Sequence, residues 1–175
     1  VITVDTTITR FLRVRSTPLP NGTPLNDVVE GGCFGGVVVR NGGRLRSVSG
    51  KQVVVTGGWT NGATVEAAGS LVAFTGNGTS LISGSTTFET LACAAAGKTI
   101  SFQAGSTQTI AGTLALSGAP GAPLTLQSSD PGEVWNLTVA DDAEIAVAYV
   151  AVSNSVAAAS AGIAAVNSID NGGNV

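Results

Sequence analysis

The chain has 175 residues, of which 11% are charged and 43% apolar, with 24 glycines, no methionine or histidine, and a formal net charge of −3. That length suits one domain with a continuous core, and apolar residues in two-residue alternation exclude a disordered tract. No apolar run is long enough to cross a bilayer, the Ala-rich stretch 156–166 being broken by Ser160 and Gly162, and the negative balance argues against nucleic-acid binding.

Ile2 to Arg15 predicts a strand with Leu12 and Val14 inward and Arg13 and Arg15 outward, and Pro18, Pro20 and Pro24 then break regular pairing. Residues 1–36 therefore read as a starting rung and an irregular capping loop. From residue 37 an apolar-x-apolar triplet recurs six times: Val37-Val38-Val39, Val53-Val54-Val55, Leu71-Val72-Ala73, Leu91-Ala92-Cys93, Leu114-Ala115-Leu116 and Leu137-Thr138-Val139. Their first residues stand 16, 18, 20, 23 and 23 positions apart, the spacing of a coil that revisits one side once per turn. The first and third members of each triplet should stack as two apolar columns, with Leu91, Leu114 and Leu137 as vertical neighbours.

Glycine-rich or Asp-rich corners follow the triplets, among them Asn41-Gly42-Gly43, Gly57-Gly58, Gly76-Asn77-Gly78 and Asp141-Asp142. A second strand per circuit comes next. Its inward residues are expected to be Leu45, Val65, Ile82, Ile100 with Phe102, Leu124 with Leu126, and Ile145 with Val147. Val150 and Val152 begin a last rung, which Ile163, Val166 and Ile169 continue. Each copy is separated from the next by a full circuit, so the strands run the same way and pair in parallel. The expected fold is all-β: a single-domain right-handed parallel β-helix of about six to seven rungs over residues 37–175, roughly 30 Å tall. An antiparallel sandwich would also use short strands, but it would not require the same apolar pair once per circuit.

Four stretches carry a resemblance: GSTTFETL at 84–91, AGKTISFQAGSTQTI at 96–110, APLTLQSSDPG at 122–132 and NSIDNGG at 167–173. From about residue 84 to residue 173 the chain resembles the β-helical repeat modules of bacterial secreted and surface proteins. The resemblance implies a scaffold of the kind found in adhesins, stalks and extracellular fibres, located outside the cell or on its surface, and it brings no catalytic residues and no cofactor. A chain that starts at Val1 and has only two cysteines fits a mature exported protein or a segment of a larger one.

Cys33 and Cys93 could bridge in an oxidising compartment. Regular rungs at their separation would put them about three strand spacings apart, roughly 14 Å, beyond the ~7 Å reach between bridged Cα atoms. A buried thiol is the expectation for Cys93.

Asp130, Glu133, Asp141 and Asp142 lie in two successive corners and are candidate oxygen ligands for Ca²⁺, as a polysaccharide lyase would need. Lys98 is the sole cation after residue 51, so no base stands nearby, and solvated turns account for the acids equally well. Trp135 shares strand parity with Leu137 and is expected in the core. Trp59 follows Gly57-Gly58 at a corner and is the candidate for stacking on a surface glycan. Thr107-Gln108-Thr109 stands alone, which argues against an ice-binding ladder.

Residues 1–60 carry seven cations and three acids, a balance of +4, and residues 61–175 carry one cation and eight acids, a balance of −7. Height along a solenoid follows chain position, so the two ends should differ in sign, with Arg10, Arg13 and Arg15 at one end and Asp170 at the other. The function expected is non-enzymatic and structural: a surface filament, stalk or adhesin that assembles head to tail as a homo-oligomer. The alternative is a carbohydrate-active or glycan-binding β-helix.

Overall fold

A computed structural model of the chain describes residues 10–15, 26–29, 32–40, 44–47, 49–62, 64–66, 69–159 and 162–175. The prolines at 18, 20 and 24, the Asn41-Gly42-Gly43 corner and the side chains of Arg10, Arg13 and Arg15 lie outside what is described. Among the described residues there is no helix, hence none long and apolar enough to cross a membrane, and every strand ladder is parallel. The strands form a β-solenoid of about six turns.

Each circuit visits three faces. The first face stacks residues 32–34 of β3 (Gly32–Arg40), β5 (Gln52–Val55), β8 (Leu71–Phe74), residues 90–94 of β10 (Thr86–Ala94), residues 113–117 of β12 (Thr107–Ser117), β15 (Glu144–Ala148) and β18 (Ala165–Val166). The second stacks β1 (Arg10–Arg15), residues 36–40 of β3, β6 (Trp59–Asn61), β9 (Thr79–Ser83), β11 (Thr99–Phe102), β13 (Leu124–Ser128), β16 (Val150–Val152) and β19 (Ile169–Asp170). The third holds β2 (Asn26–Val29), β4 (Arg44–Ser47) and β7 (Thr64–Glu66), then residues 86–88 of β10, 107–110 of β12, β14 (Trp135–Val139) and β17 (Ser155–Ala158).

Three faces correct the expected two-strand circuit. Leu91 does stack on Leu114, but Leu137 is not above them: it lies on the third face between Gln108 and Ala157, and Ile145 takes the position over Leu114. Val37 likewise stacks on Trp59 of the second face, not on Val53. Leu71 pairs with Gln52 and Thr90, while its neighbour Val72 is the inward residue between Val53 and Leu91. The third face is hard to see in the sequence because β10 and β12 turn a corner without breaking, the bend being absorbed as a register shift between Phe88 and Thr90. Gly112 permits that bend, since a Cβ there would press on the backbone and side chain of Glu89.

The expected boundary after residue 36 falls inside β3, and β1 and β2 already pair in parallel with the first full coil. The core is a continuous column along the axis. Phe34, Val55 and Phe74 stack at one end of the first face, and Leu91, Leu114, Cys93, Leu116 and Val147 continue it. Fully burying a side chain of this kind stabilises by roughly 1.5–3 kcal/mol. Phe102 and Trp135 bind the second face to the third through stacked rings with centroids 3.9 Å apart.

Candidate functional site

The C-terminal end of the solenoid combines more unusual features than any other described part. Its last coil is thin: β18 and β19 have two residues each, and no described strand covers their outer edges. The inward positions there are small or polar, with Ala165 above Val147, Ala157 above Leu137, Ser155 above Trp135 and Asp170 above Val152. The lumen is therefore left unfilled. A cavity of about 390 Å³ runs from Leu114, Leu126 and Leu137 up to Ile163, Ile169 and Asp170. Beside this mouth lie three of the four large exposed hydrophobics among the described residues: Val166, Ile169 and Val175 at 59%, 52% and 87% exposure.

A polar clasp shapes the rim. Asp170 Oδ1 accepts hydrogen bonds from the Gly172 amide at 2.7 Å and from Asn174 Nδ2 at 2.6 Å. Asn174 Oδ1 in turn accepts from the Ser155 amide and from Ser155 Oγ, and the Val175 amide donates to the Ser155 carbonyl. Asn171 and Gly172 thus follow Val152 and Asn154, and Asn174 and Val175 lie against Ser155 of the third face. Asp170 is the only charged side chain after Glu144. Arg10, Arg13 and Arg15 lie on β1, at the opposite end of the same second-face stack that β19 ends.

The acidic candidates are not gathered. Asp130 and Glu133 occupy the corner between the second and third faces, and Asp141 and Asp142 the corner between the third and first. Asp130 is exposed and spends its carboxylate on the Gly132 amide, 2.9 Å away. Among the described residues no group of three or more His, Cys, Asp or Glu could hold a metal ion. Trp59 corrects the expected exposure: it is 1% exposed, its ring lies 5.4 Å from Phe88, and its Nε1 donates to Thr86 Oγ1 at 3.2 Å. The corner glycines set the backbone beside it, but strand parity turns the indole inward under Ile82.

Cys33 and Cys93 are both free, three strands apart on the first face, with Cys93 buried. Thr109 is less isolated than its sequence suggests, stacking between Thr87 and Thr138, but Ala158 ends that column one coil later.

Lys98 is the residue that sequence reasoning missed. Its strand parity is that of Ile100 and Phe102, and the register puts it between Gly78 and Leu124. The side chain is 0% exposed, and Nζ has no hydrogen-bond partner. Burial pulls its pKa below the ordinary 10.5, against a smaller opposing effect from Cys93. Burial also pushes the Cys93 thiol up, opposed by a hydrogen bond from the Ala95 backbone and by Lys98. The only signal in the sequence was parity with Ile100, since a lysine beside a glycine corner ordinarily marks a wet turn. Both side chains are buried.

Comparison with protein-family models, with curated proteins and with solved structures returns no match for this chain.

Proposed function

We propose that this chain is a non-enzymatic structural β-solenoid that stacks end to end, as a subunit or segment of a bacterial extracellular fibre, stalk or adhesin. The single observation that carries this reading is the open C-terminal mouth, an unfilled apolar lumen lined by Ile163 and Ile169, with exposed Val166 and Val175 next in the chain to its lining residues Ala165 and Asn174. Such an end offers unpaired backbone groups and apolar surface together, and the surface that satisfies both at once is another parallel coil. Among the described residues, β1 and β2 are the outermost strands at the opposite end. Because the two ends differ, each contact is heterologous and repeats without closing, which builds a filament.

The charge balance supports the same geometry, with basic residues concentrated toward the N-terminal coils and Asp170 at the other end. The extracellular setting rests on the resemblance to bacterial surface repeats. The carbohydrate alternative draws nothing from Trp59 or from the separated acidic corners. Sedimentation and electron microscopy over a wide concentration range test the proposal. Filaments or ladders of oligomers that grow with concentration are expected, and a strict monomer throughout would refute it.

A further inference from the structure

We infer that the unfilled lumen at the C-terminal mouth is a binding site for an aliphatic amine, with the alkyl chain in the cavity and the ammonium group on Asp170. The inference goes beyond the end-to-end reading and does not need it, because stacking pairs the backbone edges of β18 and β19 whereas the ligand fills the space inside them.

The cavity sets the size and character of the chain. Its volume, about 390 Å³, falls within the ~300–1,000 Å³ of small-molecule sites. The space exists because Ala157 and Ala165 stand where the coil below has Leu137 and Val147. One inward column runs Ile100, Leu126, Val152, Asp170, so an apolar floor leads up to a single carboxylate. Leu126 and Asp170 are two strand spacings apart, which makes the lumen roughly 10 Å deep. A short unbranched alkyl chain matches that depth and displaces water from walls that offer it few partners.

The rim sets the head group. The polar side chains that line the cavity are those of Ser155, Ser168, Asp170 and Asn174. Ser168 Oγ donates to the Val166 carbonyl and accepts from the Val150 amide, and Ser155 Oγ donates to Asn174 Oδ1. Asn174 Nδ2 donates to Asp170 Oδ1 and to the Val152 carbonyl. The side-chain donors at the rim are therefore committed. The hydrogen bonds from Gly172 and Asn174 to Asp170 both end on Oδ1, so Oδ2 remains to accept. An anionic head group would meet a like charge there with no donor beside it, whereas an ammonium donates to Oδ2 in a charge-assisted hydrogen bond. Residues 61–175 carry eight acids and one cation, a balance whose field draws cations to this part of the solenoid.

Calorimetric titration with hexylamine, heptylamine and octylamine at neutral pH tests the site, with alcohols and carboxylates of the same lengths for comparison. Light scattering on the same samples reads assembly separately, and circular dichroism verifies that each variant keeps its fold. Amine affinity should rise about fourfold per methylene, with the alcohols weaker and the carboxylates weakest. Asp170→Asn leaves an amide oxygen for Gly172 and Asn174, so it should weaken amine binding roughly fivefold and leave alcohol binding unchanged. Added salt should weaken the amines alone. Ala157→Leu and Ala165→Leu fill the lumen, and each should weaken every probe by more than about tenfold, the equivalent of two methylenes. Binding that survives both lumen variants, or an amine preference that neither Asp170→Asn nor salt reduces, would overturn the inference. Filaments with no saturable uptake of any probe would also overturn it and leave stacking in place, whereas uptake by a strict monomer would uphold this site and refute stacking.

Discussion

Replacing Lys98 by methionine keeps the length of an unbranched side chain and removes an amine that the core leaves unpaired. Lys98 is 0% exposed, with Leu124 above it and Gly78 below. A buried donor without a partner costs about 1–3 kcal/mol, and a thioether of similar shape in the same slot carries no such cost. Lys98→Met should therefore stabilise the protein by about 2 kcal/mol. For a chain of this size that raises the melting temperature by roughly 4–8 °C.

The effect should depend on pH with a definite sign. Because the folded-state pKa of Lys98 is lowered from 10.5, the unfolded chain binds the additional proton between the two values, and wild-type stability rises with pH across that interval. The advantage of the methionine variant is thus largest below the interval and shrinks as pH approaches 10.5, down to what the neutral, unpaired amine still costs. Cys93 acts in the opposite sense: with its pKa raised, stability falls as pH climbs past 9.0, so a Cys93→Ala background isolates the lysine. Thermal and urea melts across neutral to alkaline pH measure both. A methionine variant no more stable than wild type would show that the amine is paired or hydrated in the fold, and a gain that stays flat with pH would show that burial does not lower its pKa.

Gly84 has φ of +80°, and a Cβ there would overlap the Asn61 carbonyl, so Gly84→Ala should cost more than about 2 kcal/mol in denaturant melts. Gly97, at φ +69° with open space around it, should lose only about 1 kcal/mol on the same change. Trp59→Ala should cost about 3–5 kcal/mol as a core truncation, and polysaccharide titration should leave tryptophan fluorescence unchanged; a saccharide-dependent shift lost in this variant would revive glycan binding. Asp141→Asn with Asp142→Asn should change stability by less than about 0.5 kcal/mol, and Ca²⁺ should not move the melting temperature of either form. A Ca²⁺-dependent rise confined to the wild type would restore a metal role for that corner.

Two-residue alternation is a local property, and it was enough to mark Val53, Leu91, Leu114, Cys93 and Trp135 as inward and the whole as parallel coils. The same parity held the burial of Lys98 in plain view, but a charged residue at a corner suggests solvent until the coils above and below close over it. What the local pattern could not carry was the register between coils. Successive inward positions of the first face, Val53, Val72, Leu91, Leu114 and Ile145, are 19, 19, 23 and 31 residues apart, because two corners in the fifth coil are long.

Loop closure costs little more for a longer corner, so each coil length is tolerated without leaving a mark in the strands themselves. Hence Leu137 and Val37 resembled first-face residues although they belong to other faces. The number of faces, the inward turn of Trp59 and the open mouth at Asp170 were decided only when the coils packed on one another, since each depends on contacts between residues far apart in the chain.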